Sequence, residues 1–127
     1  MKKLPLIAGI LLGLLFAVAS IPVLLNLIQP PKLPEGTPVA AFTAALWPTG
    51  YMKMVKVFEL TGAILVAIPR TRNWGLLALG PVIVNILAFH ILINRGEGLA
   101  NPMVIAVVVL ALYLLWHARQ KFAGLLN

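Results

Sequence analysis

The chain has 127 residues, of which 61% are hydrophobic and only 10% charged, with a net charge of +7 and a mean hydropathy of +1.02. Soluble domains carry about 25% charged and 45–50% apolar residues, so this composition excludes a cytosolic enzyme, a secreted disulfide scaffold and a disordered tail. The length allows one domain, residues 1–127.

Crossing a hydrocarbon layer about 30 Å thick takes about 20 helical residues, and four runs approach that length. Leu4–Ile28 is free of charge, follows Lys2 and Lys3, and is stopped by Gln29-Pro30-Pro31; Pro22 should kink its outer third. A small-x-small triplet, Ala17-Val18-Ala19, imitates a signal-peptide cleavage site, but the apolar run continues too far beyond it, so an uncleaved helix is expected. A proline-rich connection follows, and Thr37-Pro38 then opens a short helix over 38–46 whose apolar residues, Phe42 among them, suit a membrane interface. The second long run is 51–68, closed by Pro69. The third is 74–93, with Asn73 as its expected N-cap. The fourth is 102–118, with Asn101 as N-cap and Pro102 at its first position. The predicted fold class is all-α: an integral-membrane four-helix bundle in the lipid bilayer, with a short interfacial helix.

The cations set the orientation. Lys2, Lys3, Arg70, Arg72, Arg119 and Lys121 fall at one set of helix ends with no acid beside them. Lys32, Lys53, Lys56 and Arg95 fall at the other, near Glu35 and Glu97. The excess of positive charge predicts that both termini are cytoplasmic and the protein multi-pass, in a bacterial inner membrane. The cations sit singly or in pairs rather than in a stripe, so nucleic acid is not an expected partner. The chain has no cysteine, which excludes thiol–disulfide chemistry and a thiolate metal site within it.

Polar groups inside an apolar run are expensive and need a reason. Counted at about 1.5 Å per residue from the outer ends, Glu59 lies roughly 12 Å deep, level with Asn85 and Ser20. Lys56 lies roughly 7–8 Å deep and His90 4–5 Å. These residues mark a polar funnel that opens outward and ends near Glu59. Lys56 is one helical turn from Glu59 and suited to pair with it. Two roles stay open for Glu59: a structural ion pair completed by Asn85 or Ser20, or a ligand-binding or proton-handling site. His90 is a packing residue, a metal or haem ligand, or a hydrogen-bond partner for a quinone carbonyl. Haem is disfavoured because His117 lies at the far end of the bundle and the methionines sit at helix ends, where they are usually filler. Gly9, Gly13 and Ala17 form one small-residue ridge, and Ala63 and Ala67 another, both suited to close helix packing. No catalytic triad, phosphate loop, metal motif or carboxylate pair within one helix occurs, so a catalytic set is not defined.

The segments FTAALWPTGYMK (42–53), VKVFELTGAILVAIPRTRNWG (55–75) and LGPVIVNILAFHILI (79–93), followed by a Gly-containing loop and a last apolar helix, resemble the DoxX-like family of small four-helix bacterial membrane proteins. Glu59, the IPRTR turn (68–72), Asn85 and His90 fall where family members carry similar residues. The resemblance implies an accessory, redox-associated membrane subunit, with quinone as the cofactor class and a partner subunit or second copy as its company. Some relatives are subunits of a thiosulfate:quinone oxidoreductase. The lack of cysteine departs from thiol-using cousins. Two other classes compete: a small proton-coupled transporter, as in the small multidrug exporters, although those carry their glutamate in helix 1; and an assembly or chaperone-like membrane protein.

Overall fold

The computed structural model describes residues 3–126, and within them every regular element is a helix. Lys2, one of the cations counted above, lies outside the described residues. The elements are α1 (Lys3–Leu24), α2 (Pro38–Leu46), α3 (Tyr51–Ala67), α4 (Arg72–Ala88), α5 (Pro102–His117) and α6 (Arg119–Ala123); α4 runs on as a π-helical turn, Phe89–Ile93, and the chain closes on a 3-10 turn.

Local chemistry sets most of these limits. Thr37 Oγ1 accepts from the Ala40 amide at 3.2 Å and starts α2 with Pro38 in its first turn. Asn101 does the same for α5, accepting from the Met103 amide at 2.9 Å. Several limits differ from the sequence expectation, and α3 stops at Ala67 rather than 68. The first helix ends at Leu24 rather than 28, because Asn26 takes a left-handed φ of 58° and the Leu27 amide turns back to the Pro22 carbonyl. Asparagine tolerates that conformation and ends helices with it. Asn73 is not an N-cap: α4 starts at Arg72 and Asn73 lies inside it. The preceding Thr71 does not cap either. Its hydroxyl donates to the Leu65 carbonyl at 2.8 Å and so ties the α3–α4 turn together. The last predicted helix stops at His117, and α6 follows it, an element that the apolar pattern did not foreshadow.

The four long helices pack antiparallel. Along the α1–α3 seam, Gly9 lies against Val66, Gly13 against Ala63 and Ala67, and Ser20 against Glu59. A Cβ added at Gly13 would stand 2.6 Å from the Ala63 carbonyl oxygen, so the two small-residue ridges face each other within one chain. Across α3 and α4, Gly62 admits Leu79, and Gly75 lies on the backbone at Val66. α5 closes the arrangement against α1 and α4, and Leu12, Phe16, Val66, Leu79, Ala111 and Leu114 fill the centre.

Outside that core the surface is also apolar. Leu14, Val18, Ile64, Val84, Val109 and Leu112 all stand exposed on the long helices. Of the four long runs, Lys3–Leu24 and Arg72–Ile93, 22 residues each, are long and apolar enough to cross a membrane. α3 and α5 have 17 and 16 residues. At about 1.5 Å per residue they reach about 25 Å, short of a 30 Å layer.

Candidate functional site

Glu59 is the buried acid of the molecule, 3% exposed. Lys56, one turn earlier on α3, brings its Nζ to 2.9 Å from Glu59 Oε2. Ser20, fully buried on α1, donates to the Phe16 carbonyl at 2.6 Å and lies 3.4 Å from the same Oε2. Both partners therefore converge on one oxygen. Glu59 Oε1 accepts no hydrogen bond from the described residues, yet it is not sealed in as an orphaned buried atom.

Glu59 lines a cavity of about 350 Å³ between α2, α3 and α4. Glu59, Lys56, Asn85 and His90 all line it, so the structure brings the four sequence candidates together. On α4 the lining residues are Val82, Asn85, Ile86, Phe89 and His90. At 100° per residue these form a single stripe, with Asn85 and His90 as its two edges. Asn85 stands on the exposed edge and makes no hydrogen bond to Glu59, so of the two expected partners for the carboxylate it is Ser20 that reaches it.

His90 lies in the π-helical turn, a local widening that recurs at functional positions in helices. Its Nδ1 is 3.0 Å from the Glu97 carbonyl oxygen, which also accepts from Asn94 Nδ2 at 3.1 Å. A carbonyl only accepts, so Nδ1 carries the hydrogen, and the neutral ring then offers Nε2 as an acceptor. Gly98, with a φ of 86°, lies directly on the imidazole: a Cβ there would stand 2.9 Å from the ring. The loop between α4 and α5 is thus fastened over the histidine.

Sequence reasoning missed the aromatic part of the wall. Phe42 of α2 packs on Phe89 with ring centroids 5.0 Å apart, and Tyr51 completes that side. Phe42 thus packs on the π-helical turn that extends α4. The available signal was spacing: Phe42 and Leu46 are one turn apart on α2, and Met52, Val55, Lys56 and Glu59 follow a 3–4 pattern on α3.

Behind the ion pair is a second cavity of about 190 Å³, lined by Lys56 and Glu59 and otherwise by apolar residues of α1, α4 and α5, including Phe16, Ile83 and Val107. The ion pair stands in the wall between an aromatic chamber and an aliphatic one. Among the described residues no three His, Asp or Glu side chains are placed to hold a metal ion.

Among known proteins, no family model matches the chain and no solved structure matches it. Over 88 residues it is 33% identical to a Bacillus subtilis (strain 168) protein named "Uncharacterized protein YwoB". The match covers 66% of this chain and 55% of that protein, so the chain matches little more than half of the relative's length, and the relative's name assigns no activity.

Proposed function

We propose that the protein is an integral-membrane four-helix bundle of the DoxX-like kind, with both termini cytoplasmic, that serves as an accessory subunit binding a quinone or quinol in the Glu59 cavity. The observation that carries the ligand reading is Glu59 itself: a buried carboxylate, paired with Lys56 through one oxygen, in the lining of both chambers. A polar ring with an aliphatic tail suits that junction. The ring would stack among Phe42, Tyr51 and Phe89, and the tail would enter the chamber of Phe16, Ile83 and Val107. Lys56 and Asn85 offer donors to a carbonyl oxygen, while Glu59 and the His90 acceptor suit a quinol hydroxyl. The membrane reading is supported by the exposed apolar faces of all four long helices, since patches of that extent on a water-facing monomer are rare.

Titrating the purified protein in neutral detergent with a short-chain benzoquinone and its quinol tests the ligand. The expected result is saturable quenching of tryptophan fluorescence that Glu59→Gln weakens by about tenfold or more, the loss of one charge-assisted contact. Identical quenching curves for the two proteins would remove the quinone from this cavity. Single cysteines at Glu35→Cys and Gln120→Cys in the otherwise cysteine-free chain test the topology. The first should react with an impermeant thiol reagent in spheroplasts and the second should not; the opposite pattern reverses the orientation.

The two-chamber arrangement also favours a second reading, a proton-coupled transporter in which Glu59 exchanges its proton with a passing substrate. Substrate-dependent collapse of a pH gradient in vesicles, abolished by Glu59→Gln, would establish it in place of the quinone site.

A further inference from the structure

At the opposite end of the bundle is another cavity of about 350 Å³, formed where α4 begins and α5 meets α6. Its polar lining is Arg72, Asn73, His117, Arg119, Gln120 and Lys121. The chain has three acids in all; Glu59 is bound to Lys56, and Glu35 and Glu97 lie in the connections at the far end. Among the described residues no carboxylate neutralises this cluster. Arg72 Nε is buried beside Gly9 of α1 and has no hydrogen-bond partner among the described residues, an uncompensated donor in a side chain that also lines the cavity. Arg119 is held in place: its Nη1 donates to the Trp116 carbonyl at 2.8 Å, and the guanidinium sits 4.0 Å over the Trp116 ring. No side chain caps the start of α4, so the first-turn amides there add to the positive potential. Trp74 and Trp116, both largely exposed, flank the cluster on neighbouring helices.

We infer that this cavity is an anion site for a phosphate group, with Arg72, Arg119 and Lys121 as its charged ligands and Asn73 and His117 as further hydrogen-bonding groups. Two arginines provide the planar forks that match phosphate oxygens, and the lysine adds a point charge. A phosphate group reaches such a site as a free ion or as the headgroup of an anionic phospholipid, and basic pockets between helix ends accept the latter. The site is remote from Glu59 and stands whether or not quinone binds there.

The test is thermal melting of the purified full chain in neutral detergent with added phosphatidylglycerol, phosphatidylcholine or inorganic phosphate. Saturable stabilisation by phosphatidylglycerol alone assigns the site to a headgroup, and stabilisation by inorganic phosphate assigns it to the phosphate group irrespective of its carrier. In either case Arg119→Gln with Lys121→Gln should weaken the apparent affinity by about tenfold or more. Lys32→Gln with Lys53→Gln removes the same charge from the other end and should leave the affinity unchanged. Three results would overturn the site: no stabilisation by either phosphate compound, equal stabilisation by phosphatidylcholine, or equal loss of affinity in the two double variants.

Discussion

The two ends of the bundle hold cavities of similar size, about 350 Å³ each, and treat charge in opposite ways. Around Glu59 a cation and an anion sit 2.9 Å apart, with a buried serine beside them and aromatic rings in front. Around Arg72 the cations face no acid among the described residues, and the Arg72 Nε beside Gly9 is buried without an acceptor. A paired charge beside apolar walls can hold a nearly neutral molecule with polar atoms at one end. An unpaired cluster calls for an anion. Volume alone would not have separated these two sites; the placement of three carboxylates in 127 residues does.

That contrast is open to attack first through the seam that joins the two ends. Gly13→Leu should produce the largest effect, because its side chain would run into the Ala63 carbonyl, which is backbone and cannot swing aside. A loss of about 3 kcal/mol or more is expected, the upper range for overpacking, read as a lowered melting temperature in detergent. An unchanged melting temperature would detach α1 from α3, and with it the contact of Ser20 with Glu59.

Glu59→Gln comes next. It leaves Lys56 without its anion, and because the Lys56 side chain keeps 17% of its exposure, the cost should fall below that of a fully buried pair, at about 1–3 kcal/mol. Adding Lys56→Met should recover most of that stability while ligand binding stays lost. If the double variant is no more stable than the single one, the pair is not the unit that the 2.9 Å contact describes. Asn85→Leu is smaller still in stability, within about 0.5 kcal/mol, since the exposed Asn85 side chain makes no hydrogen bond among the described residues; its effect should appear in quinone titration alone. Comparably small should be the stability change of Arg119→Gln with Lys121→Gln in neutral detergent without phosphate, within about 1 kcal/mol, the scale of the exposed contact that Arg119 makes with Trp116. A large loss there would mean that the cations hold the fold together rather than await an anion.

Much of this was legible in the sequence where the cause is local. Thr37 and Asn101 announce their helices because capping is decided within three residues. Glu59, Lys56, Asn85 and His90 could be grouped by depth alone, because helices of known rise convert position into height. The ridges at Gly9–Gly13 and Ala63–Ala67 were visible as spacing, although only the packed chain reveals that they meet each other. What stayed hidden depends on distant partners. The contact of Phe42 with Phe89 joins two elements almost fifty residues apart. The hydroxyl of Thr71 chooses a carbonyl on the preceding helix over the start of its own, which displaced the expected cap at Asn73. The early end of α1 rests on the backbone of a single asparagine, and the π-helical turn at His90 on the loop fastened above it.

The spacing of the central ion pair also bears on the order of assembly. Lys56 and Glu59 are three residues apart on one helix, so their contact needs nothing beyond the first turns of α3. Helical turns form in under a microsecond, well before helices find their neighbours. The carboxylate therefore already has its cation when Ser20 of α1 arrives beside it, and the serine only completes a pair that exists. Had the lysine been placed on α1 or α4 instead, every route to the folded chain would pass through a stage with a lone charge surrounded by hydrocarbon side chains. Putting both charges on α3 removes that stage, and makes docking of the other helices a matter of shape alone.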